Sequence, residues 1–152
     1  MKQQYRQIFA TAPKPFVKWA GGKRQLIASL EGHLPKKFGT YFEPFLGGGA
    51  LLFHLLNQSP NLKCSISDLN SDLILAYITI RDKVEQLIES LEKHSGKYSA
   101  DQREYYYSVR ESAPKNQIEK VSRLLFLNKT CFNGLYRVNS KGQFNVPLGR
   151  YT

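Results

Sequence analysis

Cysteine is scarce in this chain. Cys64 and Cys131 are the only two in 152 residues. Two thiols cannot build a disulfide framework or a four-thiolate metal site. Both are expected to be small buried side chains. No run approaches the roughly 18 uninterrupted apolar residues of a membrane helix. No apolar core follows Met1 to Arg6, as a secretory signal would require. Histidine is limited to His33, His54 and His94, which show no metal-ligand spacing. They are read as structural or surface residues, and no metal is expected. Acids are almost missing from the first forty residues, where Glu31 stands alone. These absences leave a soluble, cytoplasmic chain with no membrane partner as the expectation.

What is present suits one domain. The hydrophobic fraction is 41% and the aromatic fraction 12%, ample for a packed core. The net charge is +10 and unevenly spread. Residues 1–40 hold eight bases and one acid, residues 41–93 four bases and seven acids, and residues 94–152 ten bases and four acids. Two basic segments thus flank an acidic middle. A polyanion such as nucleic acid is the natural partner of the basic parts, although a solvated basic surface explains the charge equally well.

The chain shows no repeat and no obvious linker. Residues 1–13 read as loose. A helix is expected over 23–33, with Leu26, Ile27 and Leu30 on one side and Pro35 closing it. Thr40–Glu43 reads as a strand, Pro44–Gly49 as a glycine turn, and Ala50–Leu56 as a helix. Lys63–Ser67 reads as a second strand ending at Asp68. From Asn70 or Ser71 onward, Ile74, Tyr77, Ile78, Val84, Leu87, Ile88 and Leu91 keep a 3.6-residue period, so one helix is expected, fading at His94-Ser95-Gly96. Two further helices are expected over 101–112 and 117–128. Tyr136–Asn139 and Gln143–Val146 then flank a short turn in which Gly142 supplies the left-handed residue of a hairpin. The order strand, glycine loop, helix, strand, acid, helix is the first half of a βαβ nucleotide-binding unit. Residues 1–93 read as the cofactor-binding part and residues 94–152 as a region for recognition.

Three segments carry chemistry. In Glu43-Pro44-Phe45-Leu46-Gly47-Gly48-Gly49 the missing side chains let backbone N–H groups approach a ligand. Asp68 ends the second strand about 20 residues later, where an acid can accept from both hydroxyls of a ribose. The glycines do not spell G-x-G-x-x-G, since Leu52 stands at the third glycine position, and no phosphate loop is present. An adenosine ligand without a pyrophosphate, such as S-adenosylmethionine, is therefore favoured over a dinucleotide. The second segment is Lys18-Trp19-Ala20-Gly21-Gly22-Lys23. A lone tryptophan is usually core, but this one sits among glycines and lysines. An exposed indole can stack on a base, and a lysine can reach a carboxylate or phosphate. The third is Asn128–Arg137, where aromatics, amides and bases interleave ahead of the hairpin. Arginine can bond guanine O6 and N7 together, asparagine adenine N6 and N7, and an aromatic or leucine can wedge between base steps. An ordinary hairpin with exposed polar residues fits this last segment as well.

Taken together, Phe16–Lys23, Glu43–Gly49, Ser67–Asp72, Asn133–Arg137 and Phe144–Tyr151 resemble the Dam-type, D12 class N6 adenine-specific DNA methyltransferases. The segments fall in the family's order and cover most of the chain from residue 14 onward. The resemblance implies an α/β fold, the Rossmann-like S-adenosylmethionine-dependent methyltransferase fold, with an inserted helical and β-hairpin DNA-recognition region. It implies that Trp19 and Lys23 contact S-adenosylmethionine and that Phe45, Gly47 and Gly49 form the F-x-G-x-G loop under its methionine part. Asp68 would hold the ribose. It also implies that Phe132, Asn133, Leu135, Arg137 and Pro147 act on double-stranded DNA, in the family often at GATC, with Lys18 beside them.

One departure is large. The family's catalytic Asp-Pro-Pro-Tyr motif is not in the sequence, so no catalytic residue is assigned. The seven-stranded sheet is incomplete as well. The resemblance thus implies the N-terminal portion of an adenine-specific DNA methyltransferase, completed by a C-terminal continuation or a second chain. A non-catalytic DNA-binding module with the same front end is the alternative. A methyltransferase acting on RNA or a small molecule suits the basic, amide-rich hairpin less well.

Overall fold

The computed structural model describes residues 12–150. The expected loose stretch over 1–13 falls almost wholly outside them, as does Tyr151. The described chain mixes helices with a small parallel sheet and divides into two compact units. The first takes the residues up to Phe16 together with Gly21–Ser67. The second takes Val17–Ala20 and the residues from Asp68 on.

In the first unit, Lys23–Leu26 forms a single 3-10 turn that runs into α1 (Ile27–Glu31). The α-helix expected over 23–33 is therefore shorter, ending at Glu31 ahead of Gly32. β1 (Thr40–Glu43) pairs in parallel with β2 (Lys63–Ile66), Thr40 opposite Lys63 and Glu43 opposite Ile66. Between them α2 (Ala50–Gln58) buries Leu52 and Leu55. A parallel pair needs such a crossover, because a tight turn reverses chain direction. Cys64 is exposed on β2, against expectation. Its neighbours Lys63 and Ser65 are exposed too, so in this short strand the pleat does not separate a buried face from a wet one.

The second unit is mostly helical. α3 (Ser71–Asp82) and α4 (Val84–Ala100) replace the single expected helix. Lys83, at φ −141° and ψ 36°, breaks the run although neither proline nor glycine is present. The apolar period continues across the break, which is why the pattern hides it. α4 also runs through His94-Ser95-Gly96, because the ring of His94 stacks on Phe126 at 4.9 Å and Tyr98 meets Phe126 edge-on at 5.4 Å. Tertiary packing overrides weak local propensity here. α5 (Gln102–Glu111) and α6 (Gln117–Thr130) follow as expected. Asp101 Oδ1 accepts from Glu104 N, and Asn116 Oδ1 accepts from Glu119 N. Both are capping pairs that fix where a helix begins.

α6 packs against α3, α4 and α5 and buries every residue from Leu124 to Asn128. A helix buried on all sides is the centre of its layer. The core that it shares with α5 and the hairpin contains Tyr106, Val109, Phe126, Leu127, Cys131, Phe144 and Val146. The Tyr106 hydroxyl donates to Val146 O at 2.9 Å, which ties α5 to the hairpin without leaving a buried donor unpaired. Cys131 is buried, as expected.

His94 Nδ1 lies 2.8 Å from the Tyr105 hydroxyl. Burial, and then the charge of Lys97, pull the His94 pKa below its ordinary value. The unfolded chain therefore takes up a proton first as pH falls. Stability contributed by neutral His94 is present above about pH 6.5 and is lost as pH drops below it. Urea midpoints measured from pH 7.5 to 5.5 should fall, and His94→Gln should flatten that slope. An equal slope in the variant would place the effect on other groups.

Candidate functional site

The glycine loop joins β1 to α2 inside the first unit. Ser67 N donates to Glu43 O at 2.9 Å and Leu46 N to Ser67 O at 3.0 Å, so the C-terminal ends of both strands hold the loop. Leu46 is buried beneath it. Gly47 and Gly49 have φ of 55° and 72°. An L side chain is disfavoured there, and Gly49 serves as the N-cap of α2 without any side-chain cap. Phe45 is 70% exposed.

Lys23 reaches this loop. Its Nζ lies 2.7 Å from Glu43 Oε1 and donates to Phe45 O at 2.7 Å. Glu43 is only 5% exposed, and its Oε2 has no hydrogen-bond partner among the described residues. Tyr41 shares that face of β1, two residues away. Burial first, and then Glu43, push the Tyr41 hydroxyl up, yet no hydrogen bond of good geometry forms on Oε2. A buried carboxylate oxygen without a donor is costly and calls for an explanation.

Asp68 opens the second unit. Its Oδ1 accepts from Asn70 N at 2.9 Å, and Asn70 Oδ1 caps α3 by accepting from Leu73 N at 3.0 Å. The carboxylate is thus oriented by the helix start that follows it. Trp19 lies in the same unit, half-buried, with its indole stacked on Tyr136 at 5.1 Å and 29°. The Tyr136 hydroxyl is 3.1 Å from Asp72 Oδ2.

The hairpin is present, though it is held by isolated bridges rather than strands. Val138 pairs with Phe144 and Cys131 with Leu148, both antiparallel. Gly142 takes the expected left-handed conformation, φ 74°. Phe132 and Leu135 are exposed, as are Asn133, Arg137 and Pro147. Phe132 N donates to Pro147 O at 2.9 Å, so these two sit at the same level of the hairpin. Asn133 adopts φ 55°, a conformation asparagine tolerates better than most residues. Arg137 Nε donates to Asn145 Oδ1 at 2.7 Å and Nη2 to Asn145 O at 3.1 Å, which aims the guanidinium while leaving donors to spare. Lys18 lies along the base of this segment, its stem packed against Gly134. The second unit therefore gathers Lys18, Phe132, Asn133, Leu135, Arg137 and Pro147, together with Trp19 and Asp68. The first unit gathers Lys23, Phe45, Gly47 and Gly49.

Three residues of consequence escaped the sequence reading. Glu43 was read as the end of a strand and the first residue of the glycine motif, with no role of its own, although its spacing of two from Tyr41 puts it on the same face. Tyr136 looked like one more hairpin aromatic. Asn128 read as a candidate base contact, but it is 1% exposed and bonds backbone. Its position four residues after Leu124 and seven after Val121, on the apolar face of α6, was the available signal. Among the described residues no cluster of histidine, cysteine or acidic side chains could hold a metal, and no helix is long and apolar enough to cross a membrane.

The family model described as D12 class N6 adenine-specific DNA methyltransferase matches residues 19–152. Among curated relatives, Type II methyltransferase M.MjaIII of Methanocaldococcus jannaschii is 47% identical, the match covering 91% of this chain and 53% of that protein. Type II methyltransferase M1.LlaDCHI of Lactococcus lactis subsp. cremoris is also 47% identical, covering 91% and 48%. The DNA adenine methylase of Escherichia coli is 35% identical, again over 91% and 48%. The chain spans about half the length of these relatives.

Proposed function

The chain belongs to the D12 class N6 adenine-specific DNA methyltransferases, and we propose that the protein carrying it methylates adenine N6 in duplex DNA. β1, the glycine loop, α2 and β2 are the opening half of a Rossmann-like fold in this reading, and the helices with the hairpin form an inserted recognition region. S-adenosylmethionine supplies an electrophilic methyl group when bound.

The observation that carries the reading is Glu43 Oε2, which has no hydrogen-bond partner among the described residues, beside Lys23. An amino-acid end has one group for each: an ammonium for the carboxylate, and a carboxylate for the remaining Nζ donor. Gly47 and Gly49 leave room for close approach, Phe45 offers an apolar surface, Asp68 accepts from ribose hydroxyls, and Trp19 offers a stacking face. These residue types fit the group. On the DNA side, Arg137 reads a guanine edge, Asn133 bonds a base, and Phe132, Leu135 and Pro147 fill space between or beside base steps. Lys18 contacts DNA at the base of the hairpin. The target adenine leaves the stack to reach the methyl group. Holding the two reactants in line accounts for much of the rate gain. The sequence carries no Asp-Pro-Pro-Tyr, so the group that accepts from the N6 amine is not assigned to these residues.

The test is transfer of labelled methyl from S-adenosylmethionine to duplex DNA by the full-length protein, with N6-methyladenine identified in the product. Asp68→Ala should weaken S-adenosylmethionine binding by about tenfold in calorimetry, the loss of one or two charged hydrogen bonds. Unchanged affinity would remove Asp68 from the site. Salt-sensitive duplex binding without transfer would favour a non-catalytic DNA-binding module.

A further inference from the structure

Three separate contacts join the segment Lys18-Trp19 to the first arm of the hairpin. The buried amide of Asn128 accepts from Lys18 N at 2.9 Å and donates to Lys18 O and Gly134 O, each at 2.9 Å. The Lys18 stem covers Gly134. The Trp19 indole stacks on Tyr136. Tyr136 also packs on the helical core through Phe144, at 6.0 Å between ring centroids, while Lys18 and Trp19 are not part of that core.

The backbone makes the connection consequential. From Leu135 the arm is extended, φ −71° and ψ 144°. Side chains along an extended chain alternate between faces. Tyr136 therefore turns inward to Trp19, Asp72 and Phe144, while Leu135 and Arg137 are exposed. Phe132 and Asn133 precede Gly134, whose carbonyl Asn128 holds. Three of the residues proposed to meet DNA, Asn133, Leu135 and Arg137, are thus immediate chain neighbours of Gly134 and Tyr136, the two residues clamped to the tryptophan segment.

We infer that Asn128 and Tyr136 are positioning residues that couple cofactor binding to DNA binding. This rests on the functional reading above, in which Trp19 meets the cofactor and the hairpin meets DNA. A cofactor packed on the indole fixes Tyr136 and with it the register of Leu135 and Arg137. DNA that fixes Leu135 and Arg137 fixes Tyr136 and with it the indole. Each ligand orders part of what the other must order, so each strengthens the other by the same factor.

The test uses the full-length protein, S-adenosylhomocysteine as a non-reacting cofactor, and a duplex selected by this protein from a randomised pool. Cofactor affinity is measured by calorimetry with and without saturating duplex, and duplex affinity by anisotropy with and without cofactor. The wild type and Tyr136→Phe, which keeps the ring stack, should show a coupling factor of at least about 5. Tyr136→Leu and Asn128→Ser should bring it close to one. Two variants at separate contacts keep the test open if one of them fails to fold. A factor of one in the wild type, with both binary affinities measurable, overturns the coupling alone. A factor unchanged in Tyr136→Leu, with only a lowered melting temperature, assigns Tyr136 a merely structural role and also overturns it. Absence of binary cofactor binding overturns the functional reading and the coupling together.

Discussion

Gly134→Ala should destabilise the protein by about 3 kcal/mol, roughly 10 °C in melting temperature for a chain of this size. Two costs add. Gly134 has φ +63°, and alanine in the left-handed region costs about 1–2 kcal/mol. The new Cβ would also stand 2.6 Å from Lys18 Cδ and 2.8 Å from Lys18 Cβ. The Cδ can swing away, but the Cβ cannot, because Asn128 holds the Lys18 backbone by both its N–H and its carbonyl. Gly142→Ala is the control. Its φ is +74°, yet nothing lies within 4 Å of a Cβ there. It should therefore show the backbone cost without the clash, about 1–2 kcal/mol. The difference between the two variants in urea denaturation measures the close approach of Lys18 to the hairpin. Equal losses would mean that the Lys18 stem yields freely.

The sequence exposed what depends on neighbours along the chain. The β1–loop–α2–β2 order was legible because a glycine run, a strand-ending acid and a spacing of about 20 residues are all local. The capping pairs Asp101 with Glu104 and Asn116 with Glu119 start α5 and α6 where expected. Gly142 marked the hairpin turn. What stayed hidden depends on distant partners. Lys83 breaks a helix whose apolar period runs on without interruption. His94 and Gly96 remain helical because Phe126 of α6 packs against His94 and Tyr98 of α4. Cys64 is exposed because β2 is too short and too open for residue type to predict its burial. At the candidate site the residue types were legible while their roles were not. Asn128 resembles a base-reading amide until its burial is known. Lys23 and Glu43 lie 20 residues apart, and neither one's pattern names the other.

That pair gives an expected effect as large as that of the Gly134 substitution. Lys23→Ala should cost about 3 kcal/mol, toward the low end for breaking a buried ion pair, because the Lys23 side chain is 34% exposed and water partly replaces it. Glu43 is left 5% exposed, its Oε2 already without a partner among the described residues and its Oε1 deprived of Nζ. Phe45 O loses its donor in the same step, so the entry to the glycine loop loosens and S-adenosylmethionine binding should weaken with stability. Removing both charges separates these effects. In Lys23→Ala combined with Glu43→Leu no buried charge remains unpaired, and an apolar side chain fills the site, so most of the lost stability should return. Cofactor affinity should not return, since both polar groups are gone. Urea denaturation of the two single variants and the double variant forms the cycle, with calorimetry on each. Strictly additive losses of stability would show that the two side chains act separately and that the ion pair is not what holds the end of β1 to the loop. Recovered binding in the double variant would remove Lys23 and Glu43 from the cofactor site.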